Sequence, residues 1–131
     1  MARIDRFEDI EAWQLARALA KETYELVHAG VFGNDFRFIG QITDSIGSVM
    51  DNIAEGFERG GTREFILFLS YAKGSAGEYR SQLYRAMDAT YINQQRFDDL
   101  FAKIMTISKK LGNFMEYLKK TEIKGTKFKR S

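Results

Sequence analysis

The chain has 131 residues, 44% hydrophobic and 29% charged, with a formal net charge of +2. That size and balance suit one folded domain with its own core and argue against disorder. The absence of cysteine excludes disulfides, thiolate nucleophiles and cysteine-ligated metal centres.

Four segments carry apolar residues at steps of three and four, the helical signature. The first spans about 9–28, with Ile10, Trp13, Ala16, Leu19, Ala20, Tyr24 and Val27 on its expected inner stripe. The second spans about 35–57 and alternates strictly through Ile39, Ile42, Ile46, Val49 and Ile53. The third follows Gly60 and Gly61, with Thr62 as the expected cap. It reaches about Asp88 through Phe65, Phe68, Leu69, Ala72, Ala76, Tyr79, Leu83 and Ala86. The fourth follows an Asn93 cap and carries Leu100, Ile104, Ile107, Leu111, Phe114 and Leu118 to about Lys120. Asn and Thr suit such starts because their oxygens accept from unpaired first-turn N–H groups. Short connections favour antiparallel neighbours. The expected fold is all-α, an antiparallel up-down-up-down four-helix bundle, with a broken-helix three-helix bundle as the competitor. Residues 1–120 form the expected domain and 121–131 a basic, flexible C-terminal tail.

No secretion signal opens the sequence, and no run approaches the roughly 18 apolar residues of a membrane span. A cytoplasmic protein without membrane contact is expected.

Glycines inside the helical segments add a constraint. Gly40 and Gly47 interrupt the second, Gly74 and Gly77 the third. Each costs about 1 kcal/mol relative to alanine at an exposed helical site. The expected compensation is close backbone approach, with Gly40, Gly47 and Ser48 against Gly74, Ser75 and Ala76. A ligand lying on bare backbone is the other reading. The third segment is also apolar nearly all round over Phe65, Ile66, Leu67, Phe68, Leu69 and Tyr71. Surplus apolar surface of that kind implies a partner, and Phe36, Phe38 and Phe57 point the same way. A homo-oligomer is expected, with Phe57, Ile66, Leu67 and Tyr71 at its interface; burial under a loop is the alternative.

Catalytic chemistry finds little support. The one histidine, His28, ends the first helix, where a cation suits the dipole. One histidine cannot build the paired Glu-x-x-His sites of di-iron bundles. Glu55 and Glu78 could face each other, but no base, nucleophile or metal set accompanies them. Gly60 and Gly61 lack the following Lys-Ser or Lys-Thr of a phosphate loop. We expect no enzyme activity, cofactor, metal or small-molecule substrate.

Polar residues gather instead around the junction of the second and third segments: Asn52, Glu55, Arg59, Glu64, Lys73, Ser75 and Glu78. Asn52, Glu55 and Arg59 follow each other at helical steps, so they lie along one side. Either they cap the turn and form an ion-pair network, or they make a recognition patch at one end of the bundle.

The run Phe7, Trp13-Gln14, Gln41-Ile42, Ser48, Asn52-Ile53-Ala54-Glu55-Gly56, Arg59, Glu64-Phe65, Gly74-Ser75, Glu78 and Gln82-Leu83 resembles the 23S rRNA intervening-sequence protein family. The resemblance spans roughly residues 7–118. It makes Gln41, Asn52, Glu55, Gly56, Glu64, Gly74, Ser75 and Glu78 motif positions with a structural role. It implies a bacterial antiparallel four-helix bundle, assembly as a pentameric ring, and association with RNA. Two positions depart from the usual pattern: Thr43-Asp44 stands where two arginines are common, and Met50-Asp51 where a proline is.

Charge is unevenly spread. Residues 1–118 carry 14 Lys/Arg against 17 Asp/Glu, a net −3, while 119–131 carry six against one, a net +5. Lys119, Lys120, Lys124, Lys127, Lys129 and Arg130 would attract phosphates, and Phe128 would stack on an unpaired base. Arg59, Arg63, Lys73 and Arg80 are further candidates on the body. The expected function is a non-enzymatic accessory protein that binds structured RNA. The alternative is a protein–protein scaffold docking through the apolar third helix, with the tail only a solvated appendage.

Overall fold

The computed structural model describes residues 4–123. Four helices follow a short 3-10 turn at Phe7–Asp9: α1 Glu11–His28, α2 Phe36–Glu58, α3 Thr62–Asp88 and α4 Gln94–Ile123. Among the described residues there is no strand. Each helix packs against the next, and α4 returns to α1 to close the square. Paired side chains fix the antiparallel sense, with Gln41 against Arg85 and Ser45 against Gln82 on α2 and α3, and Glu11 against Lys110 and Glu22 against Lys103 on α1 and α4. Among the described residues no helix is long and apolar enough to cross a membrane. The Lys124–Arg130 part of the expected basic tail lies outside the described residues, and α4 runs on past Lys120 to Ile123.

Local chemistry sets the helix starts. Asp35 Oδ1 accepts from Phe38 N at 3.2 Å to cap α2, and Asn93 Oδ1 accepts from Arg96 N at 2.8 Å to cap α4. At α3 the expected cap moves by one residue. Gly61 holds the extended capping position without a side-chain bond, and Thr62 is the first helical residue. Gly60 ends the α2 turn at φ 88°, a left-handed conformation that costs glycine little. Thr90 does the same work after α3 at φ 65°.

The core is one cluster running the length of the bundle, fed by the expected α2 stripe from Ile42 to Ile53 and by Leu69, Leu83, Leu100 and Leu111. On α1 the buried stripe is rotated from the expected one. Ala12, Ala16, Leu19, Ala20, Thr23 and Leu26 face inward, while Tyr24 is 48% exposed and Trp13 and Val27 are half-buried. The cause is Thr23. Its hydroxyl lies 2.8 Å from the Tyr79 hydroxyl and also donates to the Leu19 carbonyl at 2.8 Å, so a polar residue sits in the core without an unmet bond. Burial pushes the Tyr79 hydroxyl up to about 12, against the Thr23 hydrogen bond, which lowers it.

Two other expectations change. Phe57, assigned above to an oligomer interface, is buried at 1% exposure. It packs edge-on against Phe65 at 5.9 Å, and Phe65 packs in turn against Phe114 at 5.4 Å. Phe38 is likewise buried, against Phe32 and Tyr91, whereas Phe36 is 74% exposed. The helical glycines do not make the expected backbone approach. A Cβ added to Gly40, Gly47, Gly74 or Gly77 would meet nothing within 4 Å. The close approach is at Gly56 instead, where an added Cβ would lie 2.6 Å from Phe68 Cβ and 3.1 Å from Phe65 Cδ1. Glycine there lets the end of α2 close onto the start of α3.

Candidate nucleic-acid interface

The body cations proposed from sequence fall on two different sides of the bundle. Arg59, one residue past α2, is held by carboxylates. Its Nη2 donates to Glu55 at 3.0 Å, its Nη1 donates to Glu64 at 3.2 Å, and the guanidinium lies 4.9 Å over the Phe68 ring. The bond to Glu55 is the larger of two that hold its pKa above the ordinary arginine value. This triad ties α2 to α3 across the Gly60–Gly61 turn, which favours the structural reading of the polar cluster. Two carboxylates around one guanidinium leave that spot with no surplus positive charge.

The other motif positions follow the same α2–α3 seam. Gln41 accepts from Arg85 Nη1 at 2.9 Å, and Asn52 donates to the Ser48 carbonyl at 2.8 Å. Ser75 is buried, Gly74 and Glu78 are exposed, and Ser45 donates to the buried Gln82 at 2.6 Å. Glu55 and Glu78 do not form a carboxylate pair. Gly56 sits beside Phe68, and Glu78 lies ten residues further along α3, about 15 Å at the helical rise. Among the described residues no group of three or more His, Asp or Glu side chains could hold a metal ion.

Lys73 and Arg80 lie toward α4, whereas the exposed Arg63, ten residues before Lys73, is turned about 80° away from it round the helix. Three contacts define that side: Arg80 Nη1 reaches Met105 Sδ at 3.4 Å, Arg80 lies 5.9 Å over the Phe101 ring, and Lys73 Cε would be 3.5 Å from a Cβ on Gly112. On α4 the exposed Lys109 stands four residues after Met105 and three before Gly112, hence on the same side. Lys119 follows seven residues after Gly112, two turns on, and pairs loosely with Glu116 at 3.4 Å. Lys120 is exposed one residue later. Lys73 to Arg80 covers seven residues of α3, about 10 Å of helix. The result is a strip of four cations, Lys73, Arg80, Lys109 and Lys119, along the α3–α4 seam. Lys109 went unnoticed in the sequence because the signal is relational: it becomes a candidate only once Lys73 is seen beside Gly112.

The expected interface residues of α3 divide by exposure. Leu67 and Tyr71 are 47% and 49% exposed, Ile66 is half-buried, and Phe57 has left the set. Leu67, Tyr71 and Gly74 step by four and three, forming an apolar line on the outer side of α3.

A four-helix bundle with a row of cations along its α3–α4 seam is the class of protein that this geometry defines. The sequence pattern of the 23S rRNA-intervening sequence protein family matches residues 8–113, and the chain belongs to that family. Among solved structures, it is similar to a protein of unknown function from the S23 ribosomal protein family of Bacteroides thetaiotaomicron. The two share 22% identity with a TM-score of 0.74, over 79% of this chain and 97% of that one. That likeness concerns the fold. Curated proteins provide no match.

Proposed function

We propose that this protein is a non-enzymatic, cytoplasmic homo-oligomer that binds structured RNA along the α3–α4 seam. The family's description names an intervening sequence of ribosomal RNA, which supports RNA as the partner. The single observation that carries the reading is the strip formed by Lys73, Arg80, Lys109 and Lys119. Cations spaced along a helix pair contact successive phosphates without reading bases, so recognition rests on shape and charge. The sequence after α4 contributes Lys124, Lys127, Lys129 and Arg130 as further cations. Assembly as a ring, with five subunits as the family resemblance implies, would turn several weak strips into one avid surface. No cofactor or small-molecule substrate enters this reading.

Four phosphate contacts predict a slope of about −3 in log affinity against log salt, at roughly 0.7–0.9 per contact. The test is RNA binding by the full chain at about 50 and 200 mM salt, beside Lys73→Glu/Arg80→Glu and Arg59→Glu. Loss of binding in the double variant, with little change in Arg59→Glu, supports the strip. Binding that ignores both salt and the double variant rejects it.

A second reading rests on Leu67 and Tyr71, whose exposed line on α3 suits a protein partner. In that case Leu67→Asp/Tyr71→Asp lowers the mass seen by light scattering or removes a protein partner, and RNA is not bound.

A further inference from the structure

The seam between α1 and α4 is incompletely filled. A cleft of about 410 Å³ opens there, with Leu15, Leu19 and Ile107 in its wall and Ala18 and Ala102 where larger side chains would close it. Its rim is polar and asymmetric. Lys103 Nζ donates to both oxygens of Glu22 at 2.8 Å and to Asp99 at 3.0 Å. Two carboxylates around one ammonium leave the rim one net negative charge. A cleft of this size with an apolar floor and a few charged groups at its edge matches the ordinary design of a binding site.

The chain itself contains a segment of the complementary chemistry. Residues 124–131 carry Lys124, Lys127, Lys129 and Arg130 with no acid, and one large apolar side chain, Phe128, in their midst. We propose that the α1–α4 cleft receives the C-terminal segment of a second copy of this chain. Phe128 enters the apolar floor, and the cations beside it meet Glu22 and Asp99. Reach decides between copies. Lys103 lies twenty residues before Ile123 on α4, about 30 Å along the helix. Phe128 is five residues beyond Ile123, and five extended residues span at most about 18 Å. Even Ile107 in the cleft floor lies sixteen residues before Ile123, about 24 Å and still beyond that span, so the cleft takes a neighbour's Phe128. Arm exchange of this kind joins subunits without a large flat interface, and it gives the aromatic residue of the tail a role apart from RNA.

The absence of native cysteine makes the test clean. One full-length chain carries Ala102→Cys in the cleft, another carries Thr126→Cys beside Phe128, and the two are mixed under mild oxidation. The mixed disulfide should form at least about tenfold faster than with a control chain carrying Asp44→Cys on α2, because docking makes the encounter effectively intramolecular. Adding Phe128→Asp to the Thr126→Cys chain should remove that preference. A chain bearing both Ala102→Cys and Thr126→Cys should yield linked oligomers. Equal rates with the control, a preference indifferent to Phe128→Asp, or closure within a monomer would each overturn the proposal. No RNA is present in the experiment, so its result stands apart from the test of the cationic strip.

Discussion

Where α2 meets α3, a Cβ on Gly56 would come within 2.6 Å of Phe68 Cβ; where α1 meets α4, Ala18 and Ala102 leave a cleft of about 410 Å³. Both seams use small residues, yet with opposite results. At Gly56 the lost side chain is replaced by the aromatic rings of Phe65 and Phe68, so the gap is filled and the helix ends lock together. At Ala18 and Ala102 no described side chain takes up the space, and the Lys103–Glu22 bridge spans it. A small residue tightens a seam when its partner is large enough to fill the room. Otherwise it leaves a vacancy whose lining has forgone dispersion contacts.

The sharpest way to probe the closed interior is alkaline titration of Tyr79. Its folded-state pKa is pushed up to about 12 from 10.0. The unfolded chain therefore releases this proton first, and stability present below about pH 10 falls as pH rises toward 12. Two units correspond to about 3 kcal/mol. Denaturant melts at pH 9 and 11.5 should show this loss in the wild type and a smaller one in Tyr79→Phe. Next in size, Gly56→Ala should cost about 1–3 kcal/mol, since the Phe68 Cβ it meets belongs to the packed seam. Gly74→Ala should instead stabilise by up to about 1 kcal/mol, because its new methyl meets open space and the helix gains propensity. Thermal melts of these two single-methyl additions should therefore move in opposite directions. Equal shifts would break the contrast between filled and unfilled positions.

The fold was largely legible in the sequence because its signals were local. The Ile42–Ile53 stripe, the Asn93 cap and the glycine turns each depend on a few neighbouring residues. What could not be read was rotational. Tyr24 and Val27 satisfied the period of α1 as well as Thr23 and Leu26 did, and apolarity favoured the former pair. The Tyr79 hydroxyl that meets Thr23 on the inner side lies 56 residues away in sequence. Phe57 failed for a related reason: a phenylalanine at a helix end reads as surplus until Phe65 and Phe114 are placed around it. The glycines show the same limit, since propensity marks all of them as costly but only coordinates tell Gly56 from Gly74. For the site, charge type was legible but side was not. Arg59 and Arg80 look alike in sequence, yet one is neutralised by Glu55 and Glu64 and the other lies along the cationic seam.

The Thr23–Tyr79 and Ser45–Gln82 pairs also bear on which packing the chain selects. Leucine and isoleucine stripes tolerate sliding by a turn, because one aliphatic contact substitutes for another at small cost. Hydroxyl and amide groups do not tolerate it. Sliding α3 by one turn would part Tyr79 from Thr23 and Gln82 from Ser45 together, leaving buried polar groups unmet at about 1–3 kcal/mol each. These two contacts thus act as a key to the register. They add little to the depth of the native state, but they raise its shifted rivals, so one alignment of four similar helices is chosen over the others.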